Sequence, residues 1–455
     1  MLRETVSLGD AVPPSHLARF IVEVITQMDL GGIYGHYAPV GGEAIGPEIL
    51  LGVLFYGYAT GVFSSRKLER ATYESLPLRF IASGLHPDHD TLATFRKTFL
   101  TEIQELFVQI LLLAQAVGVL KLGNISLDGS KIHADASKSK AVSYKRLGEL
   151  EAQLRLEVQR LLTLGEQVDQ GERALPEGLV LQDEIRRRKD RLVQLAEAKA
   201  VVQARAAERA AVEHAEYAAK VRAREEKARR RGRQPGGRAP KPPEPGPRDT
   251  DPYNFTDPQS RIMKNSTDAG FDQHYHVQAA VDQDSLVTLA PALRACASAG
   301  VVAPALSNHP NDKAEAEPTL AALPPELGCP TAAALDNGYW SEPNRKACEQ
   351  RGIEAYIATG REPHHQSWET FFAEQPAPPP AEASLQEKMA YKLKTAVGRA
   401  IYRLRQCTVE PVIGIIKEVL GFRQFSLRGL RAATGEWYLV CLAFNLKRLH
   451  VLWPA

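Results

Sequence analysis

Three acidic residues sit in contexts that could place a carboxylate where it does chemistry. The first is Asp128 in NISLDGSKIHADAS (124–137), where Ile125 and Leu127 alternate with polar residues before Asp128-Gly129. The second is Asp336 in TAAALDNG (331–338), where an apolar run ends in an acid and Asn-Gly. The third is Glu410 in TVEPVIGIIKEVLGF (408–422). Carboxylates at neighbouring strand ends can share a divalent cation, because an open sheet presents ligands there. Without a cation or some separation, like charges so placed repel. The plainer reading is available for each: Asp-Gly is a common turn dipeptide, and an acid before proline is a common helix-start signal.

The third segment carries more. Val409, Val412, Ile413, Ile416 and Leu420 form one apolar helical stripe. Glu410, Gly414 and Lys417 share a different face, at i, i+4 and i+7. Pro411 places Glu410 at a helix start or at a kink. Gly414 leaves that face bare for a backbone or a phosphate, and Lys417 adds a positive charge.

The elements that must gather these residues can be read along the chain. Residues 1–120 read as all helical, with Pro47 opening one helix. Three short helices follow: SSRKLERATYES capped by Ser64 or Ser65, LPLRFIASG ended by Gly84, and HDTLATFRKTFL capped by Asp90 or Thr91. With Arg66, Lys67, Arg70, Arg96 and Lys97 exposed, they suit a helix-turn-helix unit that binds DNA. An ordinary solvated face is the alternative.

Residues 144–230 read as two long helices folded into an antiparallel coiled-coil hairpin. Leu147, Leu150, Leu154, Val158 and Leu161 recur three and four apart, as do Leu192, Leu195, Ala198 and Val202. Residues 231–250 continue as a Pro- and Gly-rich basic linker, flexible and able to lie along phosphates. Solubilisation is its alternative role. Residues 121–143 and 251–455 read as a mixed α/β sheet domain with closing helices from about 385 to 450. Its strands are Ile125–Asp128, 274–282, 285–295, TAAALD and IEAYIAT, and the Pro-rich QPAPPPAEAS reads as a mobile loop.

Composition sets bounds. The 455 residues are 44% hydrophobic and 24% charged, which fits a globular chain of two or three domains. Net charge is only +2, so a nucleic-acid surface must come from local patches. The five cysteines (Cys296, Cys329, Cys348, Cys407, Cys441) form no C-x-x-C pair, which argues against a zinc ribbon or a disulfide framework. The longest apolar run, Leu106 to Leu120, is interrupted by Gln109, Gln115 and Gly118, and the N-terminus has no signal-peptide core. A cytoplasmic protein is the expectation.

Taken in order, these blocks resemble bacterial insertion-sequence DDE transposases. LLGVLFYGYATGVFSSRKLERATYESLPLRFIASGLHPDHDTLATFR looks like the InsH-type N-terminal DNA-binding domain. SLDGSKIHADASKSK, DPQSRIMK, QAAVD, ALDNGYWSE and RQCTVEPVIGIIKEVLGFRQFSLRGL look like the catalytic domain. The resemblance implies an RNase H-like fold, with the first Asp on the first strand, the second Asp after the fourth and the Glu on a later helix. The triad is then Asp128, Asp336 and Glu410, holding two Mg²⁺ ions that Mn²⁺ can replace. Tyr402, Arg405, Glu410 and Lys417 match the family's Tyr…Arg…Glu…Lys signature. Arg405 departs from it, standing five residues before the Glu where many members have four. Lys417 and Arg405 would hold phosphates, and Tyr339 and Trp340 would lie near Asp336, chiefly as core.

The implied activity is nicking at terminal inverted repeats by water, then attack of the freed 3′-OH on target DNA, without a covalent enzyme intermediate. A homodimer acting on double-stranded DNA at the nucleoid is the implied assembly. An inactive, sequence-specific DNA-binding descendant is the alternative; a coiled-coil scaffold with a merely structural α/β part is a third reading.

Overall fold

The computed structural model describes residues 7–37, 44–234, 236–265, 270–294, 312–360 and 377–453. Its strands are β1 (Asn124–His133), β2 (Ala141–Ser143), β3 (Pro252–Asn254), β4 (Arg261–Lys264), β5 (Phe271–Asp282), β6 (Thr288–Arg294), β7 (Ala332–Leu335) and β8 (Glu354–Ile357). The chain divides into two compact units. One comprises Met1–Asp135, His274–Arg294 and Asn311–Ala455; the other is built on Ala136–Gln273.

The first unit is organised around a sheet. β1 pairs antiparallel with β5, from Ile125 opposite Asp282 to His133 opposite His274. On its other side β1 pairs parallel with β7, from Asn124 opposite Ala332 to Leu127 opposite Leu335. β8 extends the parallel part, and β6 pairs antiparallel with β5. The four residues of β7 are all buried, as expected of a parallel strand covered on both faces.

Helices Leu385–Lys394, Ala396–Gly414 and Leu430–Leu452 close the chain. The second packs against β1, β7 and β8, and the third against β6 and the N-terminal helices Pro47–Ala59 and Leu100–Ala116. Pro47–Ala59 is apolar on every side and eleven of its thirteen residues are buried, so it is a central core helix. Ser65–Glu74, Leu76–Ile81 and His89–Thr98 follow it. The last is capped by Asp88, which accepts from the Thr91 N–H, rather than by Asp90 or Thr91.

In the second unit, helices Tyr144–Asp169 and Leu181–Arg231 run antiparallel. Lys199 meets Glu151 at 2.7 Å and Arg188 meets Glu157 at 2.9 Å. Leu147, Leu195, Ala198 and Val202 form the buried seam, with Leu150, Leu154, Tyr253 and Phe255 packed on it. The segment after Gly232 is tied back along the long helix. Arg224 donates to the Gly237 carbonyl at 2.9 Å, and Arg209 donates to Asp251 at 2.9 Å and to the Gly246 carbonyl at 3.2 Å.

Among the described residues no single helix is long and apolar enough to cross a membrane. Cys329, Cys348, Cys407 and Cys441 are free thiols; Cys296 and the first two residues of the Pro-rich loop, 375–376, lie outside the described residues.

Candidate active site

Register brings the two aspartates together. The parallel ladder between β1 and β7 ends at Leu127 opposite Leu335, so Asp128 and Asp336 are the next residues on adjacent chains. The turn expected at Asp128-Gly129 is absent. β1 continues to His133 against β5, which makes Asp128 a mid-strand residue. Its Oδ1 accepts the Gly129 N–H at 2.8 Å. Gly129 leaves room for its neighbours: a Cβ would lie 2.4 Å from Gln278 Nε2 and 2.9 Å from His276 Nε2, so those side chains would have to shift. Asp336 stands at the start of a 3-10 turn, Asn337–Tyr339, without capping it through its side chain.

Glu410 arrives from the helix Ala396–Gly414 and is fifteen residues into it, so the helix-start expectation fails. Thr395 is the cap, accepting from the Gly398 N–H, and Pro411 lies inside the helix. A π-helical turn, Ile415–Val419, follows and carries Lys417. Such turns occur frequently at functional sites. The apolar stripe is buried as expected, from Val409 through Leu420, and no atom lies within 4 Å of where a Cβ on Gly414 would be.

Arg405 is the centre of the cluster. Its guanidinium lies 2.8 Å from Glu410 Oε1, 3.3 Å from Asp128 Oδ2 and 3.8 Å from Asp336 Oδ1. Its side chain is 7% exposed, against 23% for Asp128 and near one half for the other two acids. Arg405 is therefore committed to the carboxylates and turned away from solvent, rather than placed on an outer phosphate-binding surface. Tyr402 is buried under it, with the guanidinium carbon 5.8 Å from the ring centroid.

Burial pushes the Asp128 carboxyl up to about 6; Arg405 and the Gly129 N–H oppose the rise, and Asp336 and Glu410 add to it. Lys417 donates to Ser130 Oγ at 3.1 Å, and burial lowers its pKa. A cleft of about 270 Å³ opens over Asp128, Gly129, Ser130, Glu410, Gly414 and Lys417.

Three carboxylates are a hard-oxygen donor set of the kind Mg²⁺ takes. A guanidinium among them marks the place where the surroundings favour positive charge. As they stand, the acids flank Arg405, and among the described residues no three His, Cys, Asp or Glu side chains are gathered as ligands around one point.

Other expected residues are placed as follows. Arg66, Lys67, Arg70 and Lys97 are exposed, with Arg70 paired to Glu74 at 2.7 Å. Arg96 is not a surface cation. It is buried, donating to the Tyr58 hydroxyl at 2.6 Å and the Phe63 carbonyl at 3.2 Å, with Glu436 at 3.7 Å. Tyr339 is fully buried and donates to Gln278 Oε1, a core role, while Trp340 is half-buried. Asp135 pairs with Arg428 at 2.8 Å.

Sequence reasoning missed a buried polar clasp beneath the acids. Ser126 Oγ is 2.9 Å from Thr408 Oγ1 and 2.9 Å from Gln283 Nε2. The available signal was polar Ser126 between Ile125 and Leu127, two residues before one acid, with Thr408 two before another.

Residues 379–450, which include Tyr402, Arg405, Glu410 and Lys417, match the family model described as a transposase DDE domain. Residues 6–98 match the model described as a transposase domain (DUF772). No curated protein and no solved structure matches the chain.

Proposed function

We propose that this chain, an insertion-sequence DDE transposase, cuts DNA at the ends of its element and joins the freed 3′-OH to target DNA. The observation that carries the proposal is the meeting of Asp128, Asp336 and Glu410 from three separate segments around Arg405, within 3.8 Å. The sheet supports an RNase H-like reading. Its chain-order strands β1, β5, β6, β7 and β8 lie in the order β6-β5-β1-β7-β8, with only β5 reversed. The first acid is on the first strand, the second follows the fourth, and the helical pair is inserted between the first and second.

Asp128, Asp336 and Glu410 would hold the divalent ions, Mg²⁺ or Mn²⁺. The bound ions supply activation of the attacking oxygen and stabilisation of the leaving one. Lys417, at the cleft rim, binds a phosphate oxygen beside the scissile bond. Bare Gly414 lets the backbone of the DNA approach. Arg405, a positioning residue on this reading, keeps three like charges together until the ions arrive. The supporting Tyr402 ring keeps the guanidinium in that plane.

In this scheme residues 1–120 read element ends through Arg66, Lys67, Arg70 and Lys97. Residues 121–143 and 251–455 hold the catalytic fold, 144–230 form a coiled-coil insertion and 231–250 a basic segment. Two copies bring two ends together, in the cytoplasm.

The test is cleavage of DNA carrying the element's own inverted repeats by purified protein with Mg²⁺ or Mn²⁺. The Asp336→Asn protein is expected to bind that DNA and leave it uncut. Cutting at the parent's rate would refute the assignment of the acids.

A further inference from the structure

The second unit carries charge that the catalytic scheme does not use. Between Lys220 and Lys241 stand ten Lys/Arg and two acids, Glu225 and Glu226, a local charge of +8. The whole chain is only +2, so everything outside these residues sums to −6. Residues 1–120, where end recognition is proposed, hold eight Lys/Arg against twelve Asp/Glu. The electrostatic attraction for a polyanion is therefore concentrated in one short stretch.

Structure gives that stretch a shape. Arg209 is the last buried residue of the helix Leu181–Arg231, so its final 22 residues project without a buried position. That is about 33 Å of helix at 1.5 Å per residue. Lys220, Arg224, Lys227 and Arg231 recur at i, i+4, i+7 and i+11 and form one stripe. The chain then returns beside the helix. It is fastened at Arg224 to the Gly237 and Arg238 carbonyls, and at the base by Arg248 with Glu213 at 2.9 Å. Arg233, Arg238 and Lys241 on the return are exposed, so both limbs of the arm present cations.

Basic residues in the last turn of a helix also favour its dipole. That effect fades within one turn and explains neither Lys220 to Lys227 nor the return limb. A helix end with no buried position and a strong excess of one charge gains most from a partner that neutralises it.

We propose that this arm grips the backbone of duplex DNA outside the element ends, by charge and without reading bases. The proposal rests on the transposase reading only for the identity of the polyanion.

The full-length protein and R229Q/R230Q/R231Q/R233Q are titrated with a short duplex of random sequence from about 50 to 200 mM salt, by fluorescence anisotropy. Gln keeps the helix propensity of Arg. Four lost phosphate contacts lower the slope of log affinity against log salt by about 3–4. Across that salt range the parent should then lose about a hundredfold more affinity than the variant. The charge-keeping R229K/R230K/R231K/R233K protein should behave as the parent, which separates charge from folding. An unchanged slope in the Gln variant overturns the proposal, as does a parent that prefers single-stranded RNA or anionic vesicles to the duplex. Cleavage of inverted-repeat DNA is assayed alongside. A parent that cuts, with a Gln variant whose slope is unchanged, removes the arm and leaves the transposase chemistry standing. A parent that never cuts, with binding that follows the arm's charge, does the reverse.

Discussion

Thr408→Val should loosen the active site without touching any acid. Thr408 and Ser126 are 2% and 0% exposed, and their hydroxyl oxygens are 2.9 Å apart. Thr408 Oγ1 is also 2.8 Å from the Leu404 carbonyl, and Gln283 Nε2 reaches both Ser126 Oγ and the Ile401 carbonyl, at 2.9 and 3.1 Å. Each hydroxyl has one proton. The Thr408 hydroxyl therefore has two acceptors in reach, Ser126 Oγ and the Leu404 carbonyl, and Ser126 Oγ also accepts from the Gln283 amide. Valine keeps the shape and takes the hydroxyl partner away from buried Ser126, a cost of roughly 1–3 kcal/mol. Removing both hydroxyls in S126A/T408V should recover part of that loss, with a coupling energy of about 1–2 kcal/mol. Ser126 lies on the same face of β1 as Asp128, and Thr408 sits two residues before Glu410. A shift of about 1 Å between the acids would lower single-turnover cutting on the order of a hundredfold. DNA binding should stay at the parent's level. Urea melts of the four proteins of the cycle and cleavage under single turnover make the test. Single losses that simply add, or a Thr408→Val protein within about 0.5 kcal/mol of the parent, would refute the clasp as a positioning device.

Arg405→Gln leaves three acids without their shared cation and should cost roughly 2–4 kcal/mol in metal-free protein. Added Mg²⁺ should recover part of it in urea melts, and an equal loss with and without the ion would contradict charge balance as its role. Gly129→Ala forces a methyl onto the Gln278 amide, which Tyr339 holds in place. A loss of about 1–3 kcal/mol is expected by thermal melting. The Asp128 carboxyl, held at about 6 by burial, gives a pH dependence. An unfolded aspartate titrates near 4, so the folded state binds this proton more tightly. Metal-free protein should therefore lose stability as pH rises from about 4 to about 6, then level off. At about 1.4 kcal/mol per unit, the loss is 2–3 kcal/mol at most, reduced by the carboxylate's 23% exposure. Asp128→Asn cannot titrate, so its stability relative to the parent should climb through that window; a flat difference across pH would contradict the shifted carboxyl.

Much of the sheet was legible because its strands are bounded by their own composition. The residues 274–282 and AAAL are apolar enough to read as strands, and each ends at an acid or a turn. The two aspartates stood out for the same local reason, and register then brings them side by side. Of the two placements that an acid before proline allows, a helix start or a kink, the first fails, because the stripe from Val409 to Leu420 continues a helix already begun at Ala396. Asp128 was misread as a strand end because Asp-Gly scores as a turn. Only the antiparallel ladder to β5, 271–282, keeps the strand going, and that pairing partner is far away in sequence. Arg96 looked like a surface cation because its partner, Glu436, is 340 positions on, and nothing local to HDTLATFRKT announces it.

That Arg96–Glu436 pairing changes what the N-terminal helices do. Glu436 is fully buried and accepts from the Ser426 and Leu427 N–H groups at 2.9 and 3.0 Å. Just before them, Phe425 donates its N–H to the His133 carbonyl at 2.9 Å, and His133 donates to the Arg423 carbonyl at 3.0 Å. Phe63 packs edge-on against Phe422 at 5.1 Å. The segment leaving Lys417 is thus held on one side by β1, which bears Asp128, and on the other by the helices that precede the sheet. Deleting 1–120 would leave the Glu436 carboxylate without Arg96 and Tyr58 and would strip the apolar cover from Phe422. Such a deletion would not separate the proposed end recognition from the proposed catalysis, because it also removes side chains packed against the segment that follows Lys417. Only exposed positions such as Arg66, Lys67 and Lys97 can be changed to ask about DNA while the cleft stays intact. The local charge of residues 1–120 is negative overall, so on the proposed function their recognition of element ends would work through those few cations and direct contacts, and bulk attraction through the proposed arm.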